Sequence, residues 1–141
     1  MNISHKLCWV LIASALLGGC QTDSRDQVLA TSQSQVALRS MQSRAFDTTD
    51  KVKTMRTVIA TLQDLGFVVD KADDVLGTVS GTKLDGYQVR MTVTVREHGA
   101  SQMLVRANAQ YNITPIEAPG PYQQFFAALE KAMFLTAHQV D

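Results

Sequence analysis

The sequence predicts an α+β fold: a two-layer sandwich in which an antiparallel meander sheet carries two helices packed on one face. Three observations predict it. Two long runs, 87–96 and 103–111, alternate apolar and polar residues with period two, as strands with one covered face do. Two other runs, 52–65 and 122–133, space their apolar residues three and four apart, as helices with one buried stripe do. Asp85-Gly86 between two strand-like runs is a hairpin signal. Two helix stripes and one sheet face need a common partner, and a single core between layers supplies it.

Taken in chain order, "RSMQSRAFDT" (39–48) alternates weakly around Met41 and Phe46 and predicts a first strand. Asp47, with Asp50 three residues on, predicts a helix N-cap followed by an acid in the first turn. Val52, Met55, Ile59 and Leu62 then form a stripe, widened by Val58 and Leu65, with Lys53, Arg56, Gln63 and Asp64 opposite. Gly66 ends this helix in the C′ position. "FVVD" (67–70) and "LGTVSGTKL" (76–84) predict two strands, the second interrupted by Gly77 and Gly81.

After the hairpin, Tyr87, Val89, Met91, Val93 and Val95 alternate with Gln88, Arg90, Thr92, Thr94 and Arg96. "HGAS" turns the chain, and Met103, Val105, Ala107, Ala109 and Tyr111 alternate again. The two alanines leave room on that face for a helix. "TPIEAPGP" (114–121) is a Pro-rich loop, and Pro121 suits the first turn of a last helix, where a missing N–H costs little. That helix carries Tyr122, Phe125, Phe126, Leu129, Ala132 and Met133 on one side. Phe134 falls on the opposite side of the wheel, beside Gln123, Lys131 and His138. It is the candidate contact residue for a partner, unless the helix ends before it or a loop folds over it.

The amino-terminal run is of another kind. Lys6 gives a short positive region, and Leu7–Leu17 is an apolar run of 11 residues. A membrane-crossing helix needs about 20 apolar residues. A positive start, a short apolar run and small residues after it describe a secretory signal. The run ends Leu17-Gly18-Gly19-Cys20. This tetrapeptide resembles the lipobox of bacterial lipoproteins: an aliphatic residue, two small residues, then Cys. The resemblance covers residues 1–20. It implies cleavage by a type II signal peptidase between Gly19 and Cys20, with lipidation of the Cys20 thiol and acylation of the new amino terminus, including palmitate. The alternative is an ordinary secretory signal with Ala13-Ser14-Ala15 as its cleavage site, which would fall inside the apolar run.

Acyl chains would attach the protein to a membrane, stably where two or more are present. In enteric lipoproteins, Asp after the Cys retains the protein in the inner membrane. Here that residue is Gln21, so the resemblance implies the outer membrane, with the folded part on the periplasmic face. Residues 1–19 are thus expected as signal peptide, 20–38 as lipidated Cys and flexible tether, and 39–141 as one periplasmic domain. The tether is rich in Ser, Thr, Gln and Asp, with room for a short helix around Gln27–Ala30.

The folded part also resembles the helix-grip domains of a lipoprotein component of the outer-membrane β-barrel assembly machinery. "TLQDLGFVVDKADDVLGTVSGTK" (61–83) carries that likeness: helix end, Leu-Gly-aromatic, strand, acidic turn, Gly-led strand. About a hundred residues share the pattern, with few identities. Arg44–Thr48 resembles the Arg-x-Phe-Asp-Thr entry of small uncharacterised Gram-negative lipoproteins.

Charge and residue usage narrow the chemistry. Cleavage before Cys20 takes Lys6 from the 13 basic side chains and nothing from the 13 acidic ones. A near-neutral domain has no basic surplus for nucleic acid. The two cysteines are Cys8, in the signal, and Cys20, the lipidation residue, so no internal disulfide is expected. His5 leaves with the signal, and His98 and His138 lack the spacing of a metal site. No Gly-x-Ser-x-Gly elbow is present, and Asp73-Asp74 is expected as a solvated turn. The sequence therefore predicts no enzyme, no catalytic residues, no metal and no cofactor.

Two functions fit. The first is a non-catalytic interaction or accessory module of a cell-envelope assembly, export or efflux system, with an envelope protein as partner. The alternative is a carrier or sensor that binds a small apolar ligand between helices and sheet, lined by Met91, Met103, Met133 and the alanines.

Overall fold

The computed structural model describes residues 34–134 and 137–139. Residues 1–33, on which the expected signal peptide, Gly19, Cys20 and most of the expected tether fall, together with the span 27–30 that has room for a short helix, lie outside the described residues. One compact unit spans Val36–Asp141.

The unit is α+β, with helices and one open antiparallel sheet. Its elements are α1 (residues 34–42), β1 (Ser43–Phe46), α2 (Lys51–Asp64), β2 (Val68–Asp73), β3 (Thr78–Asp85), β4 (Tyr87–His98), β5 (Gln102–Tyr111), β6 (Thr114–Pro115), α3 (Gly120–Met133) and β7 (Ala137–Gln139). The sheet order is β2-β3-β4-β5-β1-β7, with β6 also paired to β5. β2 to β5 form the expected meander, and β1 returns beside β5.

The expected strand over 39–48 is helical as far as residue 42, and only Ser43–Phe46 is extended. Leu38 and Gln42 explain the difference. They stand four apart, one helical turn, and both turn inward: Leu38 packs partly buried against the core, and Gln42 is 7% exposed. The Arg44 guanidinium closes the helix by donating from Nη1 to the Ser40 and Ser43 carbonyls, at 2.7 and 2.8 Å.

The N-cap of α2 is Asp50, not Asp47, and its first turn holds no acid. Asp50 Oδ1 accepts from the Lys53 N–H at 2.8 Å. Asp47 Oδ1 instead accepts from Gln102 Nε2 across to β5. The buried stripe is Thr54, Met55, Val58, Thr61 and Leu62. Ile59 is half-buried, while Val52 is 60% exposed. Thr54 replaces Val52 in the stripe because its hydroxyl donates to the Asp50 carbonyl at 2.8 Å, which leaves only its methyl to bury. The helix ends as expected at Gly66, with φ +84°. The Gly66 N–H donates to Gln63 O and the Phe67 N–H to Leu62 O, which is the Schellman arrangement.

β2 runs three residues beyond the expected 67–70, to Asp73. A bulge lies between Val69 and Lys71, and the Asp70 carboxylate accepts from the Thr82 hydroxyl at 2.6 Å. Asp73 Oδ1 accepts from the Leu76 N–H and shapes the acidic turn.

β4 and β5 pair from Val89↔Tyr111 to His98↔Gln102. Met91, Val93, Val95, Met103, Val105, Ala107 and Ala109 are buried. They share one hydrophobic cluster with Phe46 of β1, Met55, Val58 and Leu62 of α2, and Tyr122, Phe125, Phe126, Leu129 and Met133 of α3. Ala132, expected in the α3 stripe, is exposed. Part of the Pro-rich loop is the short strand β6, held by the Ile116 N–H on Ala109 O at 2.9 Å.

The chain leaves α3 at Phe134, where φ is +55°. Residues 137–139 then pair antiparallel with β1 rather than continuing the helix. His138 lies opposite Ala45 in that ladder, so the helical-wheel grouping of Phe134 with His138 does not hold.

Candidate functional site

Register decides which side chains share the other face of the sheet. Paired residues of neighbouring strands point to the same side. Thr78↔Thr94↔Arg106 and Ser80↔Thr92↔Asn108 are two such rows across β3, β4 and β5. Thr82↔Arg90↔Gln110 is a third, and Arg96 stands opposite Leu104. The face is thus built of threonine, serine, asparagine and glutamine, with three arginines. Arg96 and Arg106 are diagonal neighbours on adjacent strands. Glu97 has the opposite parity, because it pairs with Met103. β5 carries no acid, and the acids of this face stand on β2, where Asp73 pairs with Thr78 and Asp70 accepts from the Thr82 hydroxyl.

Two hollows open on this face. One, of about 340 Å³, is lined by Thr94, Arg96, Leu104, Arg106 and Asn108. The other, of about 170 Å³, lies between Gln42, Arg90, Thr92, Asn108, Gln110 and Pro115, among others. Arg106, which lines the first, has its Nε buried with no hydrogen-bond partner. A buried donor without an acceptor costs about 1–3 kcal/mol, more where it is charged, so the Arg106 guanidinium is held with part of its donor capacity unmet.

Two further hollows lie elsewhere. One of about 110 Å³ is lined by Leu65, Phe67, Lys83, Met91, Tyr111 and Ile116, with Val89, Pro121 and Gln124. Of the methionines expected to line a ligand space, Met91 does so here, while Met103 and Met133 are 1% and 2% exposed within the packed core. The other, about 270 Å³, lies against Tyr87, Tyr111 and Asn112. The two tyrosine rings meet edge to face at 5.3 Å and stand exposed with Leu84 and Ile113.

Phe134 is 93% exposed at the end of α3. It is brought together with no other expected site residue, since Gly19 and Cys20 lie outside the described ones. His98 is half-buried at the end of β4. Among the described residues, no group of three His, Cys, Asp or Glu has the placement of a metal site, and no described helix is long and apolar enough to cross a membrane.

Sequence reading recognised Arg90 and Arg96 as members of a polar strand face but did not join Arg106 to them. The missing signal was the β4–β5 register, which sets Arg106 against Thr94. Compared with known proteins, the chain matches no family model and no curated protein.

Proposed function

We propose that this protein is an outer-membrane-anchored lipoprotein whose domain faces the periplasm and serves as a non-catalytic interaction or accessory module of a cell-envelope assembly, export or efflux system. The observation that carries this reading is the short apolar run that stops at Leu17-Gly18-Gly19-Cys20. Gln21 supports the outer membrane over the inner. The folded unit begins at Val36, so about fifteen residues separate it from the lipidated Cys20.

The fold behind this reading is the two-layer sandwich, with α2 and α3 covering one face of the sheet. Its support is the single cluster that joins both helix stripes to the inward residues of β4 and β5. The other face is then left for recognition.

Replacement of Cys20 by Ser tests the anchor. Loss of acylation and of membrane fractionation is expected; efficient maturation and membrane retention of the variant would refute it. Cross-linking in intact cells, followed by capture of the full chain, tests the accessory role, with a defined envelope complex as the expected product.

The alternative, a carrier or sensor of a small apolar ligand, draws on the hollow beside Lys83, Met91 and Tyr111. At about 110 Å³ that hollow is well below the roughly 300–1,000 Å³ of ordinary ligand pockets. Mass spectrometry of the purified protein under native conditions distinguishes the two readings.

A further inference from the structure

We infer that the polar face of the sheet carries a phosphate-binding site at Arg96 and Arg106, and that its ligand is the phosphate of an anionic phospholipid headgroup. Four observations meet there. The two arginines occupy diagonal positions on β4 and β5, fixed by the Thr94↔Arg106 and Arg96↔Leu104 pairs, and both line one hollow. That hollow is about 340 Å³, and Thr94 and Asn108 also contribute to it. Arg106 Nε is buried without a hydrogen-bond partner. β5 carries no acid and Glu97 of β4 has the opposite parity, so the acids of this face stand on β2, two strands from Arg96 and three from Arg106.

Each element has a chemical purpose at such a site. A guanidinium presents a planar fork of donors that matches two phosphate oxygens at once. A threonine hydroxyl and an asparagine amide add neutral donors beside it. A carboxylate offers two oxygens in one plane to one fork; the phosphodiester of a lipid sets two charged and two ester oxygens tetrahedrally, so two forks with a hydroxyl and an amide can meet it from different sides. Placing two like charges side by side is unfavourable until an anion lies between them, and the buried Nε adds to that demand.

The spread of arginines along β4 favours a surface over a soluble anion. Arg90 lies on the same face six residues before Arg96, about 20 Å along the strand. It borders the second hollow, which shares Asn108 with the first. A single free phosphate has no use for a cation so far away, whereas a bilayer presents phosphates across the whole distance. Each basic residue near an anionic membrane adds a small attraction that fades within a Debye length. A tethered domain needs no more than that. The choice of a lipid as bearer of the phosphate rests on the membrane-tethered reading; the phosphate site itself does not.

The test uses the full chain in neutral maltoside micelles, with the arginine Nε–H resonances followed by NMR. Three additions are compared: phosphatidylglycerol, phosphatidylcholine and inorganic phosphate. Phosphatidylglycerol is expected to shift the Arg96 and Arg106 signals saturably. Phosphatidylcholine should leave them in place, and inorganic phosphate should act at least tenfold more weakly. Arg96→Gln with Arg106→Gln should weaken the response tenfold or more, while Arg56→Gln on the exposed side of α2 leaves it unchanged. Arg96→Gln alone, at an exposed position, serves if the double variant does not fold. Equal shifts from the two lipids, or equal weakening by Arg56→Gln, would overturn the site. Inorganic phosphate as effective as phosphatidylglycerol would overturn the lipid assignment. The mass of the same sample reports Cys20 acylation separately, so failure of the anchor is not mistaken for failure of the site.

Discussion

Gly77 lies directly against the backbone of Val95. The Val95 N–H donates to the Gly77 carbonyl at 2.7 Å, and a Cβ placed on Gly77 would fall 2.3 Å from the Val95 carbonyl oxygen. This contact ties the β2–β3 turn to the middle of the sheet. Gly77 also has φ +64°. Gly77→Ala therefore meets both a backbone clash and a left-handed conformation, which alone costs about 1–2 kcal/mol. A loss of more than about 2 kcal/mol is expected in urea unfolding. Gly86→Ala is the comparison: φ is +73° but nothing lies within 4 Å of its Cβ, so about 1 kcal/mol is expected. Equal losses at the two sites would show that the close approach to Val95 carries no energy.

Tyr122 joins three segments through one hydroxyl. It donates to the Ile116 carbonyl at 2.6 Å and accepts from the Ala109 N–H and from Gln42 Nε2, both at 3.3 Å. The ring itself is 1% exposed. Tyr122→Phe keeps the packing but leaves three polar groups short of a partner, with an expected cost of about 1–3 kcal/mol. Hydrogen exchange at the Ala109 amide should accelerate more than at Val105, whose strand it shares. Unchanged stability and exchange would place water, not the hydroxyl, as the partner of these groups.

Leu62 and Phe126 are core residues of α2 and α3, at 0% and 3% exposure. Leu62→Ala and Phe126→Ala should each cost about 2–5 kcal/mol. The Phe126 ring also lies 5.1 Å from the Arg44 guanidinium, so its loss removes a cation–π contact as well. Val52→Ala, at 60% exposure, should stay within about 0.5 kcal/mol. A large effect at Val52 would restore the stripe read from periodicity.

That stripe shows where the sequence was legible and where it was not. β4, β5 and the Tyr122–Leu129 side of α3 bury long, unbroken periodic patterns, so alternation and three-four spacing located them. Val52 fits the helical period as well as Thr54 does. The choice between them depends on the Asp50 carbonyl, which satisfies one hydroxyl and is visible only once the cap is formed. Ala137-His138-Gln139 has no apolar alternation, and it becomes a strand because β1 offers it an edge. The arginine pair was hidden for a related reason. Arg96 and Arg106 are ten positions apart in sequence, and their proximity follows from the β4–β5 register rather than from either strand alone.

Thr61 presents the reverse of the Thr54 case. It is 1% exposed, and its Oγ1 is buried with no hydrogen-bond partner. Thr61→Val retains the branched shape and removes the unsatisfied hydroxyl. A gain of about 1 kcal/mol is expected in urea unfolding, at the low end of the cost of a buried polar group left alone. A loss of that size would reveal an acceptor for the hydroxyl within the folded chain.

Phe134 combines two unfavourable features for the isolated domain. It is 93% exposed, and it holds a left-handed backbone, with φ +55°, at the end of α3. Exposure forgoes the gain from burying an aromatic ring, and the conformation is one that glycine adopts without strain. Phe134→Gly should therefore stabilise the domain by up to about 1 kcal/mol: it removes about 1–2 kcal/mol of left-handed strain and gives part of that back through the greater freedom of glycine in the unfolded chain. If Phe134 is the contact residue for an envelope partner, the same substitution should weaken cross-linked capture of that partner, since aromatic side chains are enriched at such interfaces. Phe134→Tyr should preserve capture without the gain in stability. The two measurements separate the roles of backbone and ring: a more stable domain with unchanged capture would remove Phe134 from the interface, and a domain destabilised by about 2 kcal/mol would place its ring in the core.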